Sequence, residues 1–593
     1  MSYSKCKDAP PEKTIAIAEE ALRSIGVYPQ IEIVKRIDGV YSAVLKDETS
    51  KWITCGKGTS EEYCIASAYG EAIEHLCNYT AYDMNRLSEK AEKSLDFSLY
   101  PDEVYVKISD VLRMLPQLYS DLQKSYSLGT GRIATYDTIV SLLKDMFHSE
   151  EIPCIPFYSV KSRREILIPN IIISNLCGSN GGGAGNTSEE ALGHALDEIA
   201  ERFAKERIYH QRLTPPTVPR EFIEKRAPEL LNIIQNIENK ESFKVVVKDA
   251  SLGCGLPVIC VLLVDYKRQR YMVNFGAHLN FPLALERCLT EMFQFYETDD
   301  SEIRRKKMVH WSATCDEVLN GIANWVSLLK DDVGYIPDSF FAGKPSWEFV
   351  EWPVLHNYTN ASGLKKQLET LLKLSGDIYI RNNSYFSFYA YKVYIPGIST
   401  VKLPFDEKQL NSYRICSSMS ELLDNKKTRS SKELELLSSS VFSPNILATG
   451  LAFHNLDEDA RYILYAALLK DLGEIKKACS ILKMFDRKIY QCAAHAMELI
   501  CSGKAKRDVQ EMICLFYGKE ESDFAIRWLE SNSFDQLVGM YLRVHKKDSE
   551  KKSVLRDALS PLDALHIRLK QHMASHPIMQ ISTDDVIYPD RGC

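Results

Sequence analysis

The chain has 593 residues, of which 45% are hydrophobic and 26% charged, with a net charge of −7 at pH 7. That length exceeds one ordinary core and implies two or three domains. The acidic balance argues against a general nucleic-acid-binding surface, and no apolar run approaches the length needed to cross a bilayer.

Taken in order, the first residues are polar and lack the apolar stretch of a secretory signal. Residues 14–26 read as an amphipathic helix closed by Gly26, with Lys7 ahead of it and Thr14 at its start. Residues 31–34 and 41–44 read as strands joined by an Asp38-Gly39 turn. Gly56-Lys57-Gly58-Thr59 lacks the upstream glycine and the residue order of a P-loop. Thr59-x-x-Glu62 reads as a capping box opening a helix. On that helix Glu71 and Glu74 lie three apart and project from neighbouring positions. Residues 81–150 read as helical with no evident chemistry, and residues 166–175 as an apolar β-type run.

The stretch 179–203, SNGGGAGNTSEEALGHALDEIAERF, has the densest pattern in the chain. Its glycines permit close backbone approach to a ligand, and the following helix N-terminus is a place where phosphate binds readily. Asn186 reads as an N-cap and Thr187-x-x-Glu190 as a capping box. Leu192, Leu196, Ile199, Ala200 and Phe203 share one face, while Glu190, Glu198, Glu201 and Arg202 share the other. Glu198 and Glu201 form a second carboxylate pair. Four carboxylates from two helices would repel one another strongly without cations, which points to Mg²⁺ and phosphate. The bland reading is a pair of capped, solvated helix faces.

Residues 244–275 turn to β, and Asn280 with Pro282 suits a helix start. On that helix Arg287 and Glu291 lie four apart and read, by themselves, as a surface ion pair. Residues 378–380 and 389–394 read as strands, residues 417–440 as a polar linker, and residues 460–544 as a series of short helices. His572 and His576 read as surface histidines. The sixteen cysteines are scattered through apolar segments without any C-x-x-C, as in a reduced, cytoplasmic protein.

Four segments, in this order, resemble the signature of the YcaO family: GKGTSEEYCIASAYGEAIEH (56–75), SNG…AGNT followed by E-x-x-ER (179–202), DASLGCGLPVICV (249–261) and FGAHLNFPLALERCLTE (275–291). The layout is similar to the long, Escherichia-type members. The resemblance implies an α+β YcaO domain of mixed sheets and packed helices over residues 1–425, then an all-α tetratricopeptide-like domain over 426–593. It implies ATP and Mg²⁺ as cofactors. Metal would be held by Glu71, Glu74, Glu198 and Glu201, and nucleotide by Lys7, Thr14, Ser67, Asn186, Glu190, Arg202, Arg287 and Glu291. No residue announces itself as the catalytic base. His75 stands where the family usually has Arg, and Gly183 where relatives can carry serine. The chemistry implied is phosphorylation of a peptide-amide oxygen. The implied role is that of an accessory factor in β-methylthiolation of a small-subunit ribosomal protein, working as a homodimer through the C-terminal domain. An azoline- or thioamide-forming peptide modifier and a nucleotide-sensing scaffold are the alternatives. The single proline near the C-terminus counts against the former.

Overall fold

A computed structural model describes residues 6–47, 52–79, 97–294 (without 98, 148 and 241), 308–311, 316–330, 332–401, 466–530 with short breaks, and 561–587 without 580–582. The chain divides into two compact units. The first comprises residues 1–85, 92–405 and 565–593, and the second comprises 86–91 and 406–564. The expected boundary at 425, the polar linker and the helix at 534–544 lie outside the described residues. The last helix, expected in the helical domain, belongs instead to the first unit.

Helix α1 (Pro11–Ser24) begins on Pro11, whose fixed φ suits a first turn. Strands β1 (Gln30–Ile37), β2 (Val40–Asp47) and β3 (Trp52–Gly58) form an antiparallel meander. Helix α2 (Glu61–Cys77) lies so close to β3 that a Cβ at Gly56 would stand 2.0 Å from the Cys64 carbonyl oxygen. The glycines of this segment, which lacks the P-loop pattern, serve helix packing. The cap is Ser60, whose side chain accepts the Tyr63 N–H, not Thr59.

A six-stranded sheet contains β4 (Val104–Lys107), β5 (Glu151–Ser159), β6 (Arg164–Ile168), β7 (Gly182–Gly185), β12 (Tyr379–Asn382) and β13 (Tyr389–Tyr394). Its order is β4-β5-β12-β13-β7, with β6 beside β5. The apolar run at 166–175 divides: after β6 it becomes helix α3 (Asn170–Cys177), which buries Ile172 and Ile173. A third sheet, β11-β10-β9-β8, holds β8 (Phe243–Asp249), β9 (Val258–Asp265), β10 (Arg270–Ala277) and β11 (Val309–His310). Between these sheets runs α4 (Ser188–His210), which buries Leu192, Leu196, Ile199 and Ala200 with Val258, Phe275 and Val393. Helices α5 (Phe281–Glu291) and α6 (Asn360–Leu374) flank it.

In the second unit, helices Ile475–Leu482, Lys488–Cys501, Lys506–Tyr517 and Lys519–Glu530 share a core that includes Tyr490, Met497, Ile513 and Trp528. The last long helix of the chain, Pro561–Ser575, buries Leu565, Leu569 and Met573. His572 on it is 8% exposed and stacks on Phe386 at 4.5 Å, so it is a packed residue and not a surface one. No described helix is long and apolar enough to cross a membrane.

Candidate functional site

The glycine run is not an open phosphate loop. Gly182 to Gly185 form β7 and pair with Lys392 to Tyr389 of β13. A Cβ at Gly183 would stand 2.2 Å from the Ala191 carbonyl oxygen, so this position has no room for a serine. Nor is the α4 N-terminus open. Thr187 caps it by accepting the Glu190 N–H, and the Thr187 hydroxyl donates to Asp8. Glu190 folds back and accepts from Lys7 at 3.0 Å, the Asp8 N–H at 3.3 Å and Asn186 Nδ2 at 3.1 Å. Acidic side chains of the protein thus occupy the dipole end that the sequence suggested for phosphate. Burial pushes the Glu190 carboxyl up, but Lys7, His194 and Asn186 together outweigh it and hold the group below the usual carboxylate range.

Beside this terminus lies a cavity of about 710 Å³. It brings together all twelve residues singled out from the sequence: Lys7, Thr14, Ser67, Glu71, Glu74, Asn186, Glu190, Glu198, Glu201, Arg202, Arg287 and Glu291. Helices α2 and α4 supply the carboxylates, since Glu71 and Glu74 follow one another around α2 and Glu198 and Glu201 around α4. Glu198 accepts the Gly181 N–H at 2.9 Å and pairs with Arg202 at 2.8 Å. Thr14 donates to Asn186 Oδ1 at 2.9 Å, which ties α1 to the loop before α4. Glu291 pairs with Lys57.

The electrostatics are those of an acidic pocket short of cations. Burial, then the charges of Glu198 and Glu71, push Glu74 well above the usual carboxylate range. Burial raises Glu71 as well, and pushes Glu201 up to about 7. His75 Nε2 stands 4.0 Å from Glu71. Among the described residues, no three His, Cys, Asp or Glu side chains are close enough to hold a metal ion by themselves. The donors are hard oxygens, and Mg²⁺ is commonly held by one or two carboxylates with water and substrate phosphates completing its shell. The residues therefore fit a magnesium–phosphate group.

Other cavity residues were not singled out from the sequence. Asp197, 2% exposed, pairs with Arg287 Nη1 at 2.8 Å and accepts from Gln367 Nε2 at 2.5 Å. His194 Nε2 accepts from Lys7 at 3.0 Å, and its Nδ1–H donates to the Ala184 carbonyl oxygen at 2.9 Å. Lys205 pairs with Asp332, and Lys57 and His278 also line the wall. Asp197, His194 and Lys205 sit on α4 beside residues that periodicity did find. Their charged partners Arg287, Lys7 and Asp332 come from segments 90 to 187 residues away in sequence, so local pattern carries no sign of these pairings.

A family model described as YcaO cyclodehydratase, ATP- and Mg²⁺-binding, matches residues 55–399, more than half of the chain. This chain belongs to the YcaO family. The cofactors of that family are ATP and Mg²⁺. An uncharacterized protein of Haemophilus influenzae is 29% identical over 402 residues, 67% of this chain and 66% of that protein. The ribosomal protein S12 methylthiotransferase accessory factor YcaO of Escherichia coli is 29% identical over 407 residues, again 67% of this chain and 66% of that protein. The matches thus span just under two thirds of those relatives' lengths. Among solved structures, YcaO from Methanopyrus kandleri bound with AMPPCP and Mg²⁺ is similar at 14% identity and a TM-score of 0.40, over 66% of this chain and 92% of that one. A heterocyclase in complex with substrate and cofactor is similar at 16% identity and a TM-score of 0.43, over 67% and 54%.

Proposed function

We propose that this protein is an ATP- and Mg²⁺-dependent enzyme that activates a peptide-amide oxygen by phosphorylation. Its biological role would be accessory to β-methylthiolation of a small-subunit ribosomal protein, as the name of the Escherichia coli relative suggests. The observation that carries this reading is the meeting of twelve sequence-selected residues in one cavity of about 710 Å³. Glu71, Glu74, Glu198 and Glu201 would hold Mg²⁺. Lys7, Thr14, Ser67, Asn186, Glu190, Arg202, Arg287 and Glu291 would hold the nucleotide. Bound there, ATP would supply the phosphoryl group that makes an amide oxygen a competent leaving group. The protein's part would be to orient the reactants and offset developing negative charge with fixed cations, for which the guanidiniums of Arg202 and Arg287 are chemically suited. The helical second unit, proposed as tetratricopeptide-like, would dock a protein partner or a second copy of the chain, in a cytoplasmic protein.

Titration calorimetry with a non-hydrolysable ATP analogue, with and without Mg²⁺, tests the site on wild type and Glu201→Ala. Mg²⁺-dependent binding that the substitution removes is expected. No binding by a folded wild type overturns the reading. A second reading, nucleotide sensing with little turnover, draws on His75, whose charge is not permanent. Slow hydrolysis that no candidate peptide accelerates would favour it.

A further inference from the structure

Segment 275–291 places one more side chain in the cavity. His278 directly follows β10, is 7% exposed and lines the wall. Its Nδ1 accepts the Asn280 N–H at 2.8 Å. That bond occupies the Nδ1 lone pair, so the neutral ring carries its proton on Nε2. Among the described residues, no protein acceptor is hydrogen-bonded to that Nε2–H. The Tyr358 ring, centred 5.6 Å away, fixes the imidazole from the side. Burial, then the positive charges of Arg287 and Lys7, keep His278 neutral far below the usual histidine range. It is therefore a donor that needs no proton from solvent.

Arg287 is the adjoining cation. Its Nη1 is committed twice, to Asp197 Oδ2 at 2.8 Å and to the Ala277 carbonyl oxygen at 2.5 Å. Nη2 and Nε have no such commitment among the described residues. Two donor groups, one of them a guanidinium, thus line the cavity from neighbouring positions, and a guanidinium favours an anionic oxygen as the acceptor.

Their place along the cavity selects which oxygen. Arg287 bridges Asp197 to the residue before His278, so His278 lies at the level of Asp197 on α4. Glu201 is one helical turn, about 6 Å, further along. Lys7, Asn186 and Glu190 lie in the opposite direction. We propose that the His278 Nε2–H and the uncommitted edge of Arg287 together donate to the nucleoside-proximal phosphate of the bound nucleotide. This rests on the nucleotide site proposed above.

Calorimetry on the full chain with Mg²⁺ tests it, using a non-hydrolysable ATP analogue, AMP and adenosine as probes. His278→Leu should weaken the ATP analogue and AMP by the same factor, roughly tenfold or more for a lost bond to a charged group. Adenosine binding should not change, and His278→Gln, which keeps a donor, should recover most of the loss. Adenosine weakened by the same factor, AMP unaffected, or all three unaffected overturns the inference. If His278→Leu fails to fold, the two diastereomers of ATP carrying sulfur on the α-phosphate serve with the wild type. Sulfur is the poorer acceptor, so one diastereomer should bind more weakly, and equal affinities overturn the inference. A folded wild type that binds no nucleotide overturns both readings, whereas binding with the wrong pattern overturns this one alone.

Discussion

Glu74 Oε1 stands where a side chain at position 182 would begin: a Cβ on Gly182 would lie 2.7 Å from it. The glycine of β7 thus leaves room for a carboxylate of α2 to enter the cavity next to Glu198. Gly182→Ala should displace Glu74, because β7 is fixed to β13 by its pairing and cannot retreat. Overpacking of this kind costs about 1–3 kcal/mol. The expected outcome is a folded protein with a lower melting temperature and at least tenfold weaker Mg²⁺-dependent nucleotide binding. Retained affinity would mean that Glu74 does not reach the metal.

Glu201 is raised to about 7 by burial, and Glu74 is raised well above the usual carboxylate range by burial and by Glu198 and Glu71. Metal binding requires their ionised forms, so Mg²⁺–nucleotide binding should release protons. Affinity should therefore rise from pH 6 to pH 8, most steeply near pH 7, where Glu201 loses its proton. Calorimetry in two buffers of different ionisation enthalpy should show a net release. Glu201→Gln should reduce it. Binding that neither releases protons nor varies with pH would separate these carboxylates from the metal.

What local pattern could convey was conveyed at particular places. The α4 sequence shows its two faces by period, and the buried face is the one with Leu192, Leu196 and Ile199. The carboxylates of α2 and α4 were legible as pairs for the same reason. The glycines at 182–185 were legible as close approach, but the approaching group is protein and not phosphate, since strand pairing with residues 389–392 is not written in the glycines. The Asp197–Arg287–Gln367 bridge joins three elements 80 to 170 residues apart, and no periodicity spans that. The run at 170–177 looked β because Ile is frequent in strands, yet Pro169 and tertiary packing made it a helix.

Lys7 anchors the N-terminal segment to α4 through Glu190, which is 3% exposed. Lys7→Met would leave that carboxylate buried without its cation, at a cost of about 1–3 kcal/mol near pH 7. Glu190 is depressed in the folded state from its ordinary 4.5. Its contribution is therefore present above that value and lost as pH falls below it. Denaturant melts of wild type and Lys7→Met should differ at pH 7 and converge in acid. A difference that persists at low pH would assign the effect to packing of the lysine stem.

Helix Pro561–Ser575 bears on where the first unit ends. Leu565, Leu569 and Met573 are buried, the Tyr79 hydroxyl donates to Met573 Sδ at 3.4 Å, and Lys570 donates to the Phe97 carbonyl oxygen. Each such apolar side chain contributes about 1.5–3 kcal/mol when fully buried. Together they approach the whole net stability of a domain, about 5–15 kcal/mol. A protein cut after residue 425, the boundary implied by the family resemblance, should be insoluble or poorly folded. Replacing residues 426–560 with a flexible linker, so that 561–593 is kept, should give a folded unit that still binds Mg²⁺ and the ATP analogue. Circular dichroism and calorimetry on the two proteins provide the check. A stable, nucleotide-binding protein from the simple truncation would show that the first unit does not depend on the helix that returns to it.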